Sequence, residues 1–395
     1  MPPPVNPSVN ISMNPTVPNE ILSAIFDLLP PATLTDIACV SQRFNTVAER
    51  SLYASISIRD ILSESSPHPW RTRQCCESIL RRPALIEGVR KLHIRWQKDP
   101  RSPPSHFHFA PTSQRLAEAL ASITFLESLE LWLGPSNSET YPGALHVVER
   151  VVRGCHFPHL QQCSLGAESF KGSPTYSGIL DRFLSSLNSL RHLRLLDHHS
   201  ALTLPPDALP QLSSFRGSPD TAAFLLPGRP VEYLSLVGQD SDVNRDNLPR
   251  YTHTSMPLRA LDLSAMAVRP ILLRNVATYL PTVEILRVNL ALRHTLHYAM
   301  SGIVSATYCA VSIMNNPHPQ RILTGLASVL SAFPNLSQLD LSPTSVAGTQ
   351  QSNHEQEIGL CREWGRACPS LRKVIFPSHT EWHQGPEGFW SPSTP

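Results

Sequence analysis

The sequence predicts an α/β chain in which a short N-terminal trio of helices precedes an irregular repeat solenoid, with a parallel sheet on the concave face and helices outside. Three observations predict it. Apolar residues recur at helical spacing from Ile21 to Leu52, triplets spaced Leu-x-x-Leu-x-Leu follow as far as Phe376, and most of those triplets come after a stretch of apolar residues at helical spacing. Alternating helices and strands with short joints make parallel strands, and a right-handed crossover repeated without reversal makes a solenoid.

Composition agrees with many short elements. The chain has 395 residues with 16% charged, and its 38 prolines interrupt it often. Lys plus Arg number 33 against 31 Asp plus Glu, a net charge of +2, which supplies no field to draw nucleic acid. No apolar run reaches the roughly 18 residues of a membrane span. Met1 to Ser12 lacks a basic residue ahead of an apolar core, so the expected address is intracellular, cytoplasmic or nuclear. The eight cysteines are scattered from Cys39 to Cys368, mostly among apolar neighbours, and are read as reduced and buried.

In chain order, residues 1–13 are rich in Pro, Asn and Ser and are expected to be disordered. Residues 14–55 form the helical unit. Ile21, Leu22, Ile25, Phe26, Leu28 and Leu29 share one broad helical face, which Pro30 and Pro31 end. Thr33-Leu34-Thr35-Asp36 has capping-box spacing and announces a second helix, and a third begins at Ser41 with Phe44, Val47, Ala48 and Leu52 as its stripe. Three helices this short are too few to close an independent core, so a partner or the rest of the chain must cover part of the apolar surface.

Val17-Pro18-Asn19-Glu20-Ile21-Leu22, the Ile25-Phe26 and Leu28-Leu29 pairs, and later Leu34, Ala38, Val40, Ser41, Arg43 and Phe44 together resemble the F-box. The resemblance spans residues 15 to 53, with Val17 where Leu is usual and Phe44 where Trp is common. It implies docking on the Skp-type adaptor of a cullin-RING ubiquitin ligase, with Pro18, Ile21, Leu22, Ile25, Leu28, Leu34 and Val40 as the contact positions. The plainer reading is a helical cap whose stripe packs on the following array.

Residues 56–377 carry the array. Ile56-Ser57-Ile58 reads as a first strand. Ten apolar triplets follow, starting at Val89, Leu126, Leu160, Leu190, Leu212, Val231, Leu258, Val283, Leu336 and Leu371. Those at Leu126, Leu190, Leu258 and Leu336 are leucine at all three positions, the skeleton of a leucine-rich repeat. Spacing is uneven. The wide interval between Val283 and Leu336 holds an insertion or a further repeat, for which Val304 to Ile313 is the candidate strand, and the asparagine that usually follows the third leucine is largely missing. Residues 378–395, with Trp382, Phe389 and Trp390, either cap the last repeat or form a tail.

An F-box followed by irregular leucine-rich repeats is similar to a group of F-box proteins common in fungi. That resemblance implies the substrate-recognition subunit of an SCF-type E3 ligase in ubiquitin-dependent protein degradation, its array binding a client protein. Strand positions between the apolar residues would face that client: Glu127, Glu130 and Trp132, Arg191 and Arg194, Arg259 and Asp262. The other reading is a leucine-rich-repeat interaction scaffold uncoupled from ubiquitination.

Catalytic chemistry finds no support. His106-x-His108, His198-His199 and the pair Cys361 and Cys368 lack a second half-site at zinc spacing, and Cys75-Cys76 are adjacent rather than spaced as a redox pair. No Gly-rich phosphate loop or Gly-x-Ser-x-Gly elbow occurs, and Asp240 and Asp242 lie in a polar turn. The expectation is a binding protein that is not an enzyme, takes no cofactor or metal, and has neither nucleic acid nor membrane as partner.

Overall fold

The computed structural model describes residues 17–101, 109–135, 145–168, 175–291, 323, 326–345 and 354–393. Residues 1–13, His106 and His108, Cys309 and the candidate strand Val304 to Ile313 lie outside the described residues.

The chain opens with α1 (Asn19–Phe26), α2 (Pro31–Ala38) and α3 (Gln42–Ala54). Helix α3 starts where expected, with Ser41 Oγ accepting the Phe44 amide at 3.1 Å. Helix α2 does not. It begins at Pro31, two residues before the expected capping box, and the Thr35 hydroxyl donates to the Ala32 carbonyl at 2.6 Å instead. Proline has its φ preset and no N–H to leave unpaired, so it suits the first helical position. The trio also closes a small core of its own, contrary to expectation. Leu22, Phe26, Leu34, Val47 and Ala48 are buried together, and the Phe26 and Phe44 rings meet edge to face at 5.7 Å. Polar ties complete it: Arg43 donates to Asn19 Oδ1 at 2.8 Å and to the Val17 carbonyl, and Ser51 donates to Asp27 at 2.8 Å.

Among the described residues, thirteen strands form one sheet in strict chain order. They are β1 (Ser55–Leu62), β2 (Lys91–Lys98), β3 (Ser128–Pro135), β4 (Gln162–Glu168), β5 (His192–Leu195), β6 (Ser214–Gly217) and β7 (Tyr233–Val237). Then come β8 (Ala260–Val268), β9 (Ile285–Leu290), β10 (Gln338–Asp340), β11 (Lys373–Ile375), β12 (Glu381–Gln384) and β13 (Trp390–Pro392). From β1 to β11 every pairing is parallel. Among the described residues each strand pairs only with the strands before and after it in sequence, which is what makes the array a repeat solenoid.

The triplets account for the register. Leu129 and Leu131, Leu193 and Leu195, and Leu261 and Leu263 are buried on the side where the helices pack, while the residues between them emerge on the opposite, open face. Each such leucine withdrawn from water stabilises the array by about 1.5–3 kcal/mol. At β6, glycine replaces the last leucine because the Phe215 ring already fills that space: a Cβ on Gly217 would lie 2.6 Å from it.

Helices line the other side: α4 (Trp70–Arg81), α5 (Pro83–Ile86), α6 (Ala110–Ser122), α7 (Val147–Val152), α8 (Gly178–Ser185), α9 (Pro219–Leu225), α10 (Pro270–Tyr279), α11 (Ala327–Leu330) and α12 (His354–Ala367), of which α6, α7, α8, α10 and α11 stand where the spacing predicted them. The alternation has exceptions. Between β5 and β6 only turns connect, and between β7 and β8 two short 3-10 segments stand in for a helix.

Buried acids do part of the work of the missing asparagines. Asp60 on β1 accepts from the Arg71 and Thr72 amides at 3.1 Å and from the Thr72 hydroxyl at 2.6 Å, holding the start of α4. Glu149 does the same for α8 through the Ser177 and Leu180 amides, both at 2.9 Å. A carboxylate at a helix N-terminus satisfies orphan amides and complements the helix dipole. Past β11 the chain turns back, and the antiparallel pair β12 and β13 covers the end of the solenoid. Trp382 and Trp390 are buried there and Trp382 donates to Glu357 at 2.9 Å, whereas Phe389 is exposed. The segment is a cap.

Candidate functional site

Two surfaces stand out, one on the trio and one on the sheet. Helix α1 presents apolar residues on two adjoining stripes. Leu22 and Phe26 turn into the trio's core, while Ile21 and Ile25, 52% and 48% exposed, face solvent and continue into Leu28, 87% exposed. Val17 and Val40 are also exposed, the latter by 68%, and so is Pro18. Of the seven positions expected to make contact, Pro18, Ile21, Ile25, Leu28 and Val40 are therefore accessible. Leu22 and Leu34, at 7% and 4%, are not: they hold the helices together. Large aliphatic side chains left in water this close together mark a surface that gains by being covered.

The trio is coupled to the sheet without a linker. Helix α3 ends at Ala54 and β1 begins at Ser55, and Arg82, at the end of α4, pairs with Glu49 on α3 at 2.5 Å.

On the open face, the expected client positions separate into two rows. Glu127, Arg191 and Arg259 stand just before their strands, where each backbone carbonyl receives two amides from the next repeat. Arg90 pairs with Glu127 at 3.7 Å, and Arg259 lies between Glu232 and Glu284 at 4.0 and 3.9 Å, so Glu127 and Arg259 belong to a rim of ion pairs between repeats. Glu130, Trp132, Arg194 and Asp262 emerge from the strands themselves. Trp132 lies over Gly166 of the next strand, where a Cβ would come within 2.8 Å of its ring. Asp262 is buried and accepts from Tyr233 and Ser235 at 3.1 Å and from the Ser264 amide at 2.9 Å. Burial opposes its charge, but hydrogen bonds from Ser264, Ser235 and Tyr233 outweigh that and hold the carboxyl below its usual range. It shapes the face rather than offering a free carboxylate.

A depression of about 300 Å³ crosses β2 to β6 on this face, lined by His93, Glu130, Ser164, His192, Arg194 and Ser214 among others. Arg216, next to it on β6, was not among the expected positions. The alternation that selects Arg194 selects Arg216 as well.

A second polar group is enclosed beneath β4 and β5. Asp197 accepts from the Tyr176 hydroxyl at 2.6 Å and the Ala167 amide at 3.0 Å, with His146 Nε2 at 3.2 Å, and His198 bonds Thr221 at 2.9 Å. These contacts fasten neighbouring repeats. Among the described residues, no group of three or more His, Cys, Asp or Glu side chains is placed to hold a metal ion. Burial pushes the Cys76, Cys155 and Cys361 thiols up to about 12, so these are packed, unreactive side chains. Cys39, expected to be buried, is exposed at the end of α2. No helix among the described residues is long and apolar enough to cross a membrane.

A family model described as F-box-like matches residues 15–59, the helical trio and the start of β1. Among solved structures, the crystal structure of the Rad7 and Elc1 complex in yeast is similar to this chain at 13% identity, covering 91% of this chain and 88% of that one with a TM-score of 0.35. No curated protein matches the chain.

Proposed function

From an F-box-like domain at residues 15–59 that runs directly into a repeat solenoid, we propose that this chain is the substrate-recognition subunit of an SCF-type cullin-RING E3 ubiquitin ligase. In this reading the trio docks a Skp-type adaptor and the sheet, a leucine-rich-repeat array, binds a client protein destined for ubiquitin-dependent degradation. The protein acts by binding rather than catalysis, inside the cell, in cytoplasm or nucleus.

One observation carries the reading. The trio buries Leu22, Phe26 and Leu34 for its own stability and still leaves Ile21, Ile25, Leu28 and Val40 in water. A cap packed on its own array would have turned that second stripe inward. Covering a Leu or Ile side chain yields about 1.5–3 kcal/mol, so the exposed set is enough to anchor a partner helix or groove. The direct passage from α3 into β1 supports the same reading, since a client held on the sheet would keep a fixed orientation to the adaptor.

Co-expression with a Skp-type adaptor tests it. The intact chain is expected to retain the adaptor through purification, and the Ile25→Asp/Leu28→Asp variant to lose it while its circular dichroism is unchanged. Retention by the variant, or no retention by the intact chain, would favour a scaffold uncoupled from ubiquitination.

A further inference from the structure

Strand register lines up one residue from each strand along the middle of the open face: Glu130, Ser164, Arg194, Arg216, Ser235 and Asp262 are successive Cα partners from β3 to β8. Two arginines therefore stand side by side, about one strand spacing of 4.8 Å apart. Each is followed outward by a serine and then by a carboxylate.

Like charges directly opposite on neighbouring strands oppose folding. Three other cations of this face have acceptors: Arg287 pairs with Asp340 at 3.1 Å, Arg59 bonds Gln97 at 2.7 Å and Lys373 pairs with Glu381 at 2.7 Å, while Arg95, set beside Arg59 on β2, stands exposed near the start of the sheet. Among the described residues neither Arg194 nor Arg216 has one, and Arg216 Nε is shut off from solvent without a hydrogen-bond partner. A guanidinium presented this way lacks an anion. The depression beside it adds the hydroxyls of Ser164 and Ser214.

We infer that this row binds an extended acidic segment of the client, with two carboxylates seated over Arg194 and Arg216 and a basic residue further along the segment facing Glu130. The inference rests on the proposed client role of the sheet. An extended chain crossing the strands places alternate side chains about 7 Å apart, so two of its acids give each guanidinium its own fork partner. A compact phosphate would meet only the centre of the row and leave Glu130, about two strand spacings or 10 Å off, uncompensated.

Fluorescence anisotropy on the full chain tests this with three labelled peptides. The first is Gly-Lys-Ser-Asp-Gly-Asp-Ser-Lys-Gly; the second exchanges its acids and lysines; the third replaces Asp-Gly-Asp with a single phosphoserine between glycines. The first is expected to bind, the second at least about tenfold more weakly, and the third more weakly than the first. Arg194→Gln, on an exposed side chain, and Arg216→Gln, checked for folding by circular dichroism, should each weaken the first peptide by about tenfold, the loss of one charged hydrogen-bonding partner. No binding of the first peptide, equal binding of the second, tighter binding of the phosphoserine peptide, or an unaffected Arg194→Gln variant would overturn the inference. Leu28→Asp separates it from the adaptor reading, since that variant should lose the adaptor and keep the peptide.

Discussion

Truncating two neighbouring residues of α1 distinguishes the stripe that holds the trio together from the stripe that faces outward. Leu22 is 7% exposed and packs with Phe26, Leu34, Val47 and Ala48. Leu→Ala at a buried site costs about 2–5 kcal/mol, and because this cluster is small and can partly collapse, about 2–3 kcal/mol is expected for Leu22→Ala. Ile21 is 52% exposed, so Ile21→Ala forfeits about half of a 1.5–3 kcal/mol burial. The better helix propensity of alanine returns a few tenths, leaving a loss under about 1 kcal/mol. Native-state hydrogen exchange is the suitable assay, since the trio has its own core and can open while the sheet stays closed. In Leu22→Ala, amides of α1 and α3 should exchange about thirty to a hundred and fifty times faster, with β3 to β5 unchanged, and Ile21→Ala should leave both regions within a few fold. Equal acceleration by the two variants would refute the assignment of the stripes, and equal acceleration in the sheet would refute the separateness of the two cores.

Two further outcomes follow from buried polar groups. Burial is the main reason that His198 is held down to about 4, against the opposing pull of Asp197. The unfolded chain binds the proton near pH 6.5, so stability is full above that and falls by about 2–3 kcal/mol as pH drops from about 6.5 to 4. His198→Gln should flatten that part of the profile in denaturant titrations, and an unchanged slope would count against it. Asp60→Asn places an amide group where two backbone amides and the Thr72 hydroxyl donate, and should cost about 2–3 kcal/mol in thermal unfolding. A shift below about 0.5 kcal/mol would show that α4 is held by packing alone.

Much of the fold was legible because strands in this array announce themselves. Every apolar triplet from Val89 to Leu371, and Ile56-Ser57-Ile58 before them, falls on a strand or within two residues of its ends, since only the inward positions of a short parallel strand need to be apolar. The start of α2 was misread because a capping-box spacing at Thr33 competed with a proline already suited to begin the helix. The direction of Leu22 and Leu34 could not be read from periodicity. On α1, Ile21 and Leu22 are adjacent in sequence and only about 100° apart around the axis, so both fall within one broad apolar face. Asp262 was taken for surface because strand alternation gives the face a side chain leaves from, but not whether Tyr233 and Ser235 then close over it. The C-terminal residues gave tryptophans but no repeat, and only the antiparallel pairing of β12 with β11 made them a cap.

The most direct test of the central claim is calorimetric titration of the full chain with a purified Skp-type adaptor at several temperatures. The account predicts a saturable one-to-one complex whose binding enthalpy becomes more negative on warming, the signature of apolar side chains leaving water, and its loss on Leu28→Asp. Absence of binding by the intact chain, or a Leu28→Asp variant that binds as tightly as the original, would contradict it.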